Sequence, residues 1–180
     1  MKRDTKEINM PKVLVTNDDG IDAHGLRVLV DALSEHADIY VVAPATQQSG
    51  KSHSITFMRE VTPKEREVKG AVAAWELDGT PADCVMWAID YLRDEEGIEP
   101  DFVISGINLG FNTGLAAYYS GTVAGAREGA INGIRSIALF RGRRRRHGCQ
   151  PFRLSCRPSA TADGDVHEDR SGHHPKRERA

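Results

Sequence analysis

Apolar and polar positions change period in a regular order along this chain. Val13-Leu14-Val15 is a short apolar run that predicts a first strand. Residues 23–36 then place Leu26, Leu29, Val30 and Leu33 at spacings of three and four, the stripe of a helix packed on a sheet. Ile39 to Ala43 predicts a second strand, and Pro44 to Lys51 a polar loop that ends in Ser49-Gly50. Ser54 to Met58 and Ala71 to Leu77 read as short strands around a charged stretch. In Asp78-Gly79-Thr80-Pro81, Thr80 suits an N-cap and Pro81 the first helical position. The helix that follows carries Cys84, Val85, Ala88, Ile89 and Leu92 on one face. Phe102-Val103-Ile104 predicts a buried strand, and Ser105 to Gly114 a glycine-rich segment that is neither helix nor strand throughout. Residues 123–132 read as an Ala-rich helix and Ser136 to Leu139 as a last strand.

Strands alternating with helices imply βαβ units, hence an α/β fold with a mostly parallel sheet flanked by helices. In such sheets ligands collect outside the carboxyl ends of the strands. Three polar loops fall at such ends: Asn17 to Gly20, Gln47 to Gly50, and Ser105 to Gly114. A single crevice can gather all three.

Composition narrows the picture. At 180 residues and 39% hydrophobic content the chain suits one globular domain with a tail. Its apolar runs are far shorter than a bilayer requires, and the first ten residues are too charged for a signal peptide, so a cytoplasmic protein that does not enter the membrane is expected. Cys84, Cys149 and Cys156 contain no CxxC pair, and Cys84 reads as a small buried hydrophobe. The formal net charge of −2 conceals an asymmetry: from Arg141 onward ten arginines and one lysine face five acidic residues, so the body before Arg141 is acidic. An acidic body argues against specific nucleic-acid binding, which needs clustered Lys and Arg. The region after Phe140, beginning Arg141-Gly142-Arg143-Arg144-Arg145-Arg146, loses all helical or strand period and is expected to be disordered.

Candidate chemistry begins at Asn17-Asp18-Asp19-Gly20. Adjacent side chains of a strand point to opposite faces, so both carboxylates reach one ion only where the chain leaves the strand at Asn17 or Asp18, a turn for which Gly20 supplies the freedom. Two close carboxylates need a neutralising cation or basic group, and hard oxygen ligands favour Mg²⁺, Mn²⁺ or Ca²⁺. The same run also reads as a solvated turn. Ser120-Gly121-Thr122 precedes the Ala-rich helix, where outward amides, two hydroxyls and a glycine suit phosphate; plain N-capping is the alternative. The Lys-Ser/Thr ending of a P-loop is absent, as is a GxGxxG after the first strand, which disfavours an NTPase and a nicotinamide-dependent oxidoreductase. Trp75 and Trp87 read as packing residues.

Five motifs in order carry a family resemblance: Asn17-Asp18-Asp19-Gly20, Pro44 with Gln48-Ser49-Gly50, Asp78-Gly79-Thr80-Pro81-Ala82-Asp83, Ser105-Gly106-Ile107-Asn108, and Tyr119-Ser120-Gly121-Thr122 with Arg127-Glu128-Gly129. Over about residues 11–139 the chain resembles the SurE survival-protein family. The resemblance implies a Rossmann-like core and a 5′-nucleotidase that hydrolyses nucleoside monophosphates with one divalent metal ion per subunit, Mg²⁺ or Mn²⁺. Asp18, Asp19, Ser49 and Asn108 match the family's metal ligands, and Asn17, Asp18 and Asp19 are the candidate catalytic residues. Asn112, Ser120, Gly121 and Thr122 match positions that line the site, the last three as a phosphate cradle. His53 matches a loop histidine, structural or catalytic, which counts among the candidate phosphate- or substrate-binding residues and is expected to hydrogen-bond within its loop. A water or a carboxylate nucleophile both stay open. His24 stands where many relatives have proline, and Leu109 where many have arginine. Residues 140–180 depart from the family, whose members continue into further strands, a hairpin and an arm that build homodimers and homotetramers. An out-of-frame tail is expected, which would leave Ser136 to Leu139 as an exposed apolar edge. A metal- and nucleotide-binding remnant without turnover is the alternative function.

Overall fold

The computed structural model describes residues 10–142, so the expectations for the arginine-rich tail and for Cys149 and Cys156 lie outside the described residues. Strand β1 (Lys12–Thr16) leads through helix α1 (His24–Leu33) to β2 (Asp38–Pro44). Strands β3 (Pro63–Glu65) and β4 (Ala73–Leu77) follow, then α2 (Pro81–Asp94) and β5 (Phe102–Leu109). A short α3 (Ala116–Tyr119), α4 (Gly121–Ile131) and β6 (Arg135–Arg141) complete the order. The strands form one six-stranded sheet, β3-β4-β2-β1-β5-β6, parallel except for β3, which runs antiparallel to β4. The expected mostly parallel α/β architecture is present. Successive strands step outward from β1 to β2 and β4, then cross to β5 on its other flank. The crevice outside the carboxyl ends of β1 and β5 is therefore a topological switch point, where open α/β sheets hold their ligands.

Alternation along β1 and β2 divides the core between the two sheet faces. Val13, Val15, Ile39 and Val41 pack with Leu26, Leu29 and Val30 of α1. Leu14, Tyr40, Val42 and Val103 pack with Cys84, Val85, Ala88, Ile89 and Leu92 of α2, the stripe read from the sequence. Burial pushes the Cys84 thiol well above its ordinary pKa, so it is an inert packing group. Trp75 and Trp87 also pack, edge to face at 5.7 Å, with Tyr91 stacked on Trp87 at 4.7 Å.

Three expectations need correction. Ser54 to Met58 is not a strand. The Thr56 amide donates to Asp83 Oδ1 (2.8 Å) and the Ser54 carbonyl accepts from Thr80 Oγ1 (2.7 Å), so the start of α2 takes the backbone groups a ladder would need. Met58, at φ +62°, ends the extended run. The strand lies instead at Pro63–Glu65, inside the charged stretch, where Lys64 opposes Glu76 and pairs with it at 3.2 Å. Strand β5 does not stop at Ile104: after a register shift between Ser105 and Asn108 it resumes pairing through Asn108↔Phe140 and Leu109↔Arg141. Helix α1 is also shorter than residues 23–36, ending at Leu33. As expected for Ser136 to Leu139, β6 is an edge of the sheet among the described residues, with Ile137 46% exposed. Among the described residues no helix is long and apolar enough to cross a membrane.

Helix α2 starts with a reciprocal capping box. Thr80 Oγ1 accepts from the Asp83 amide (3.2 Å) while the Asp83 carboxylate accepts from the Thr80 amide (2.8 Å). Burial would raise the Asp83 pKa, but the bonds from Thr56 and Thr80 outweigh it and hold the carboxyl below its ordinary value. A depressed folded pKa stabilises the protein above the unfolded value and loses that contribution as pH falls through the folded one. Asp83→Ala is therefore expected to cost about 1–3 kcal/mol at neutral pH. Urea unfolding followed by circular dichroism should show that penalty shrinking as the pH drops below about 4.

Candidate active site

Strand β1 ends at Thr16, and Asn17 turns the chain. Its side chain clamps Gly20 from both sides: Nδ2 donates to the Gly20 carbonyl (2.8 Å) and Oδ1 accepts from the Gly20 amide (3.2 Å). Gly20 sits at φ +101°, open to glycine alone at little cost. Asn17 is 2% exposed, and both polar groups of its side chain are engaged in the turn that carries the two aspartates. Two backbone bonds stitch this turn to the loop after β2, from the Gln48 amide to the Asp18 carbonyl (2.7 Å) and from the Ile21 amide to the Pro44 carbonyl (3.0 Å).

The two carboxylates differ in setting. Asp18 is 3% exposed, and its Oδ1 accepts from the Thr122 hydroxyl at 2.6 Å. Burial raises its pKa, helped by the charge of Asp19 and opposed by hydrogen bonding from Thr122, and the net shift is upward. Asp19 is half-exposed. Its Oδ1 accepts from Gln47 Nε2 (3.3 Å), which also donates to Ser49 Oγ (3.2 Å), so one amide ties the second carboxylate to the loop hydroxyl. Asn108 lies on β5, beyond Ser105, the register partner of Thr16. Its Nδ2 donates to the Gly110 carbonyl (3.0 Å), a bond that does not engage Oδ1. Among the described residues neither Asp18 nor Asp19 makes an ion pair, and no three His, Cys, Asp or Glu side chains gather. The residues expected to hold a metal carry two carboxylates, a hydroxyl and an amide oxygen.

Helix α4 lays one glycine-lined side against these groups. A Cβ at Gly121 would lie 2.8 Å from Asp18 Cβ, one at Gly125 2.8 Å from Thr16 Cγ2, and one at Gly129 2.6 Å from Val103 Cγ2. Under Gly125 the Thr16 and Ser105 hydroxyls are buried without a partner among the described residues. Ser120 caps the helix by accepting from the Val123 amide (3.1 Å), and it also accepts from Asn112 Nδ2 (2.8 Å). Of the expected phosphate cradle, Thr122 spends its hydroxyl on Asp18, while Ser120 retains its proton to donate. His53 does not bond within its own loop. Its Nε2 donates to Glu128 Oε2 of α4 at 2.7 Å, and Ser52 adds bonds to the Tyr118 and Tyr119 carbonyls (2.6 and 3.1 Å).

Residues 13–156 match the family model described as Survival protein SurE. The chain belongs to the SurE family. It is 49% identical over 131 residues to the 5′-nucleotidase SurE of Brevibacillus brevis, covering 71% of this chain and 49% of that protein. A second protein of that description, from Rhodopirellula baltica, is 46% identical over 128 residues, 71% of this chain and 50% of its own length. The crystal structure of the SurE protein from Aquifex aeolicus superposes with a TM-score of 0.60 at 44% identity, covering 72% of this chain and 50% of that one. The chain thus spans about half the length of the SurE relatives it matches.

Sequence reading singled out Asp18, Asp19 and His53 but not the residues that Asp19 and His53 bond. Gln47 and Glu128 are polar residues in a loop and a helix, and only the fold brings them to Asp19 and His53. The signal for Glu128 was a carboxylate in a helix of mostly small residues, and at 8% exposure that carboxylate requires a partner. His53→Ala strips Glu128 of that partner, leaving Asn132 Nδ2 at 3.1 Å. The expected loss is about 1–3 kcal/mol, and a double-mutant cycle with Glu128→Gln should return a coupling of at least about 0.5 kcal/mol in urea unfolding.

Proposed function

We propose that this chain carries the catalytic centre of a divalent-metal-dependent phosphomonoesterase that acts on nucleoside monophosphates. The observation that carries the reading is the Asp18–Asp19 pair at the switch point, one carboxylate buried and neither ion-paired among the described residues. Such a pair fits a hard cation: two adjacent negative charges, one already costly by burial, beside oxygen donors from Ser49 and Asn108. The relatives' description as 5′-nucleotidases supports the substrate class.

In this reading Asp18, Asp19, Ser49 and Asn108 would hold Mg²⁺ or Mn²⁺, and the ion would supply positive charge to the phosphoryl oxygens and to the attacking water. The remaining work falls to the chain. Thr122 keeps Asp18 in place, and Gln47 keeps Asp19 beside Ser49. Asp19, the more exposed carboxylate, takes the proton of the attacking water at a carboxylate oxygen as the ester P–O bond breaks, and the nucleoside hydroxyl leaves with a proton from solvent. Ser120 donates its hydroxyl proton to the phosphate, oriented by the Asn112 amide that occupies its lone pair.

The test is phosphate release from nucleoside monophosphates with Mg²⁺ or Mn²⁺ added and then chelated. Release should stop on chelation and fall at least about 100-fold in Asp19→Ala. Release that survives both overturns the proposal. Metal-dependent thermal stabilisation with no release from either protein would assign the chain to metal and nucleotide binding alone.

A further inference from the structure

The segment that runs from Ser49 to His53 holds a conformation that depends on bonds from outside it. Gly50 sits at φ +75° and Ser52 at φ +57°, so the backbone enters the left-handed region on both sides of Lys51. Glycine accepts that freely, but a serine stays there only where its surroundings hold it. The Ser52 hydroxyl and amide donate to the Tyr118 and Tyr119 carbonyls at 2.6 and 3.1 Å, and the Ser54 amide closes the turn on the Lys51 carbonyl at 3.3 Å. Beside Ser52, His53 Nε2 donates to Glu128 Oε2 at 2.7 Å.

The His53 bond differs in kind from the others. Its acceptor is a carboxylate, which makes it roughly twice as strong as the neutral bonds of Ser52. It is also sheltered, with the His53 side chain 19% and the Glu128 side chain 11% exposed. Glu128 is fixed in turn by Asn132, whose Nδ2 donates to its Oε1 (3.1 Å) and to its carbonyl (2.9 Å). Helix α4, which carries Glu128, also delivers Thr122 to Asp18. On the other side of Ser49, the Gln48 amide donates to the Asp18 carbonyl at 2.7 Å. Ser49 is thus suspended between an anchor on the β1 turn and an anchor on α4. Only Gly50, Lys51 and Ser52 separate it from His53, and planar peptides leave each residue two soft dihedrals. So short a tether passes any displacement of His53 on to Ser49.

We propose that His53 is a positioning residue for the metal centre: through its bond to Glu128 it sets the place of the Ser49 hydroxyl beside Asp19. The inference rests on the metal-binding part of the proposed function, and metal affinity measured without substrate tests it apart from turnover.

The experiment measures Mn²⁺ binding to the full chain by electron paramagnetic resonance. The parent is compared with His53→Ala, Glu128→Ala, the double variant and His53→Gln, each verified as folded by circular dichroism at the assay temperature. Ile89→Ala, a core truncation on α2, is the control for lost stability alone. The Kd for Mn²⁺ should rise at least about tenfold in His53→Ala and in Glu128→Ala. The double variant should bind within about threefold of the weaker single one, because both substitutions cut the same bond. His53→Gln, whose amide donates to Glu128 in place of the ring, should stay within about threefold of the parent, as should Ile89→Ala. Unchanged affinity in both alanine variants overturns the positioning role and leaves the phosphomonoesterase reading standing. A loss that Ile89→Ala reproduces, or a double variant whose loss is the product of the single ones, does the same. A parent chain that does not bind Mn²⁺ overturns both. Affinity lost in the alanine variants and kept in His53→Gln, with no phosphate released by the parent from any nucleoside monophosphate, keeps the positioning role and removes the phosphomonoesterase reading.

Discussion

Helix α4 reaches the sheet only because Gly121, Gly125 and Gly129 present bare backbone on one side, and every polar arrangement around Asp18 depends on that approach. The ridge repeats every four residues, the spacing that keeps one face of a helix turned to its neighbour. Its upper glycine lies on Asp18, its middle one over Thr16 and Ser105, and its lower one on Val103. A helix held back by even one methyl group would carry Thr122 away from the carboxylate it bonds at 2.6 Å. It would also leave a buried acid without its donor, a cost proteins avoid. Local sequence therefore sets the electrostatics of the site through steric permission rather than through charge.

The loops are organised by a second device, cross-stitching. The β1 turn is bonded to the β2 loop at Asp18 and Ile21, and that loop is strapped to α3 at Ser52 and to α4 at His53. Asn17 and Gln47 spend their amides on the turn and on the Asp19–Ser49 pair. Loops that carry ligand atoms gain precision when their own backbone is fixed by such bonds. No single loop here is rigid by composition; each is held by another.

Much of the fold was legible because local rules agreed with the tertiary outcome. The stripes of α1 and α2, the Thr80-Pro81 start and the apolar runs of β1, β2 and β5 follow from periodicity and capping chemistry. Where reading failed, long-range partners decided. Ser54 to Met58 has strand-like composition, but Asp83 and Thr80 claim its backbone. Strand β3 is wholly exposed and exists because Lys64 faces Glu76 and Arg66 pairs with both Glu76 and Asp22, pairings no local window contains. Around the site, Asp18 and Asp19 stood out as adjacent acids behind a strand. Asn17 read as a chemical group and also builds the turn through its two bonds to Gly20, Gln47 carried no signal beyond its place in a polar loop, and Glu128 showed only as a carboxylate in a helix of mostly small residues.

The aromatic cluster of Trp75, Trp87 and Tyr91 contains both tryptophans of the chain. It lies where β4 packs on α2, on the face of the sheet opposite α1. Intrinsic fluorescence consequently reports the integrity of that half of the core and little else. Emission would follow the loss of α2 faithfully, yet stay nearly unchanged while the loops around Asp19 open, close or fill. Any optical view of the site needs a chromophore placed there.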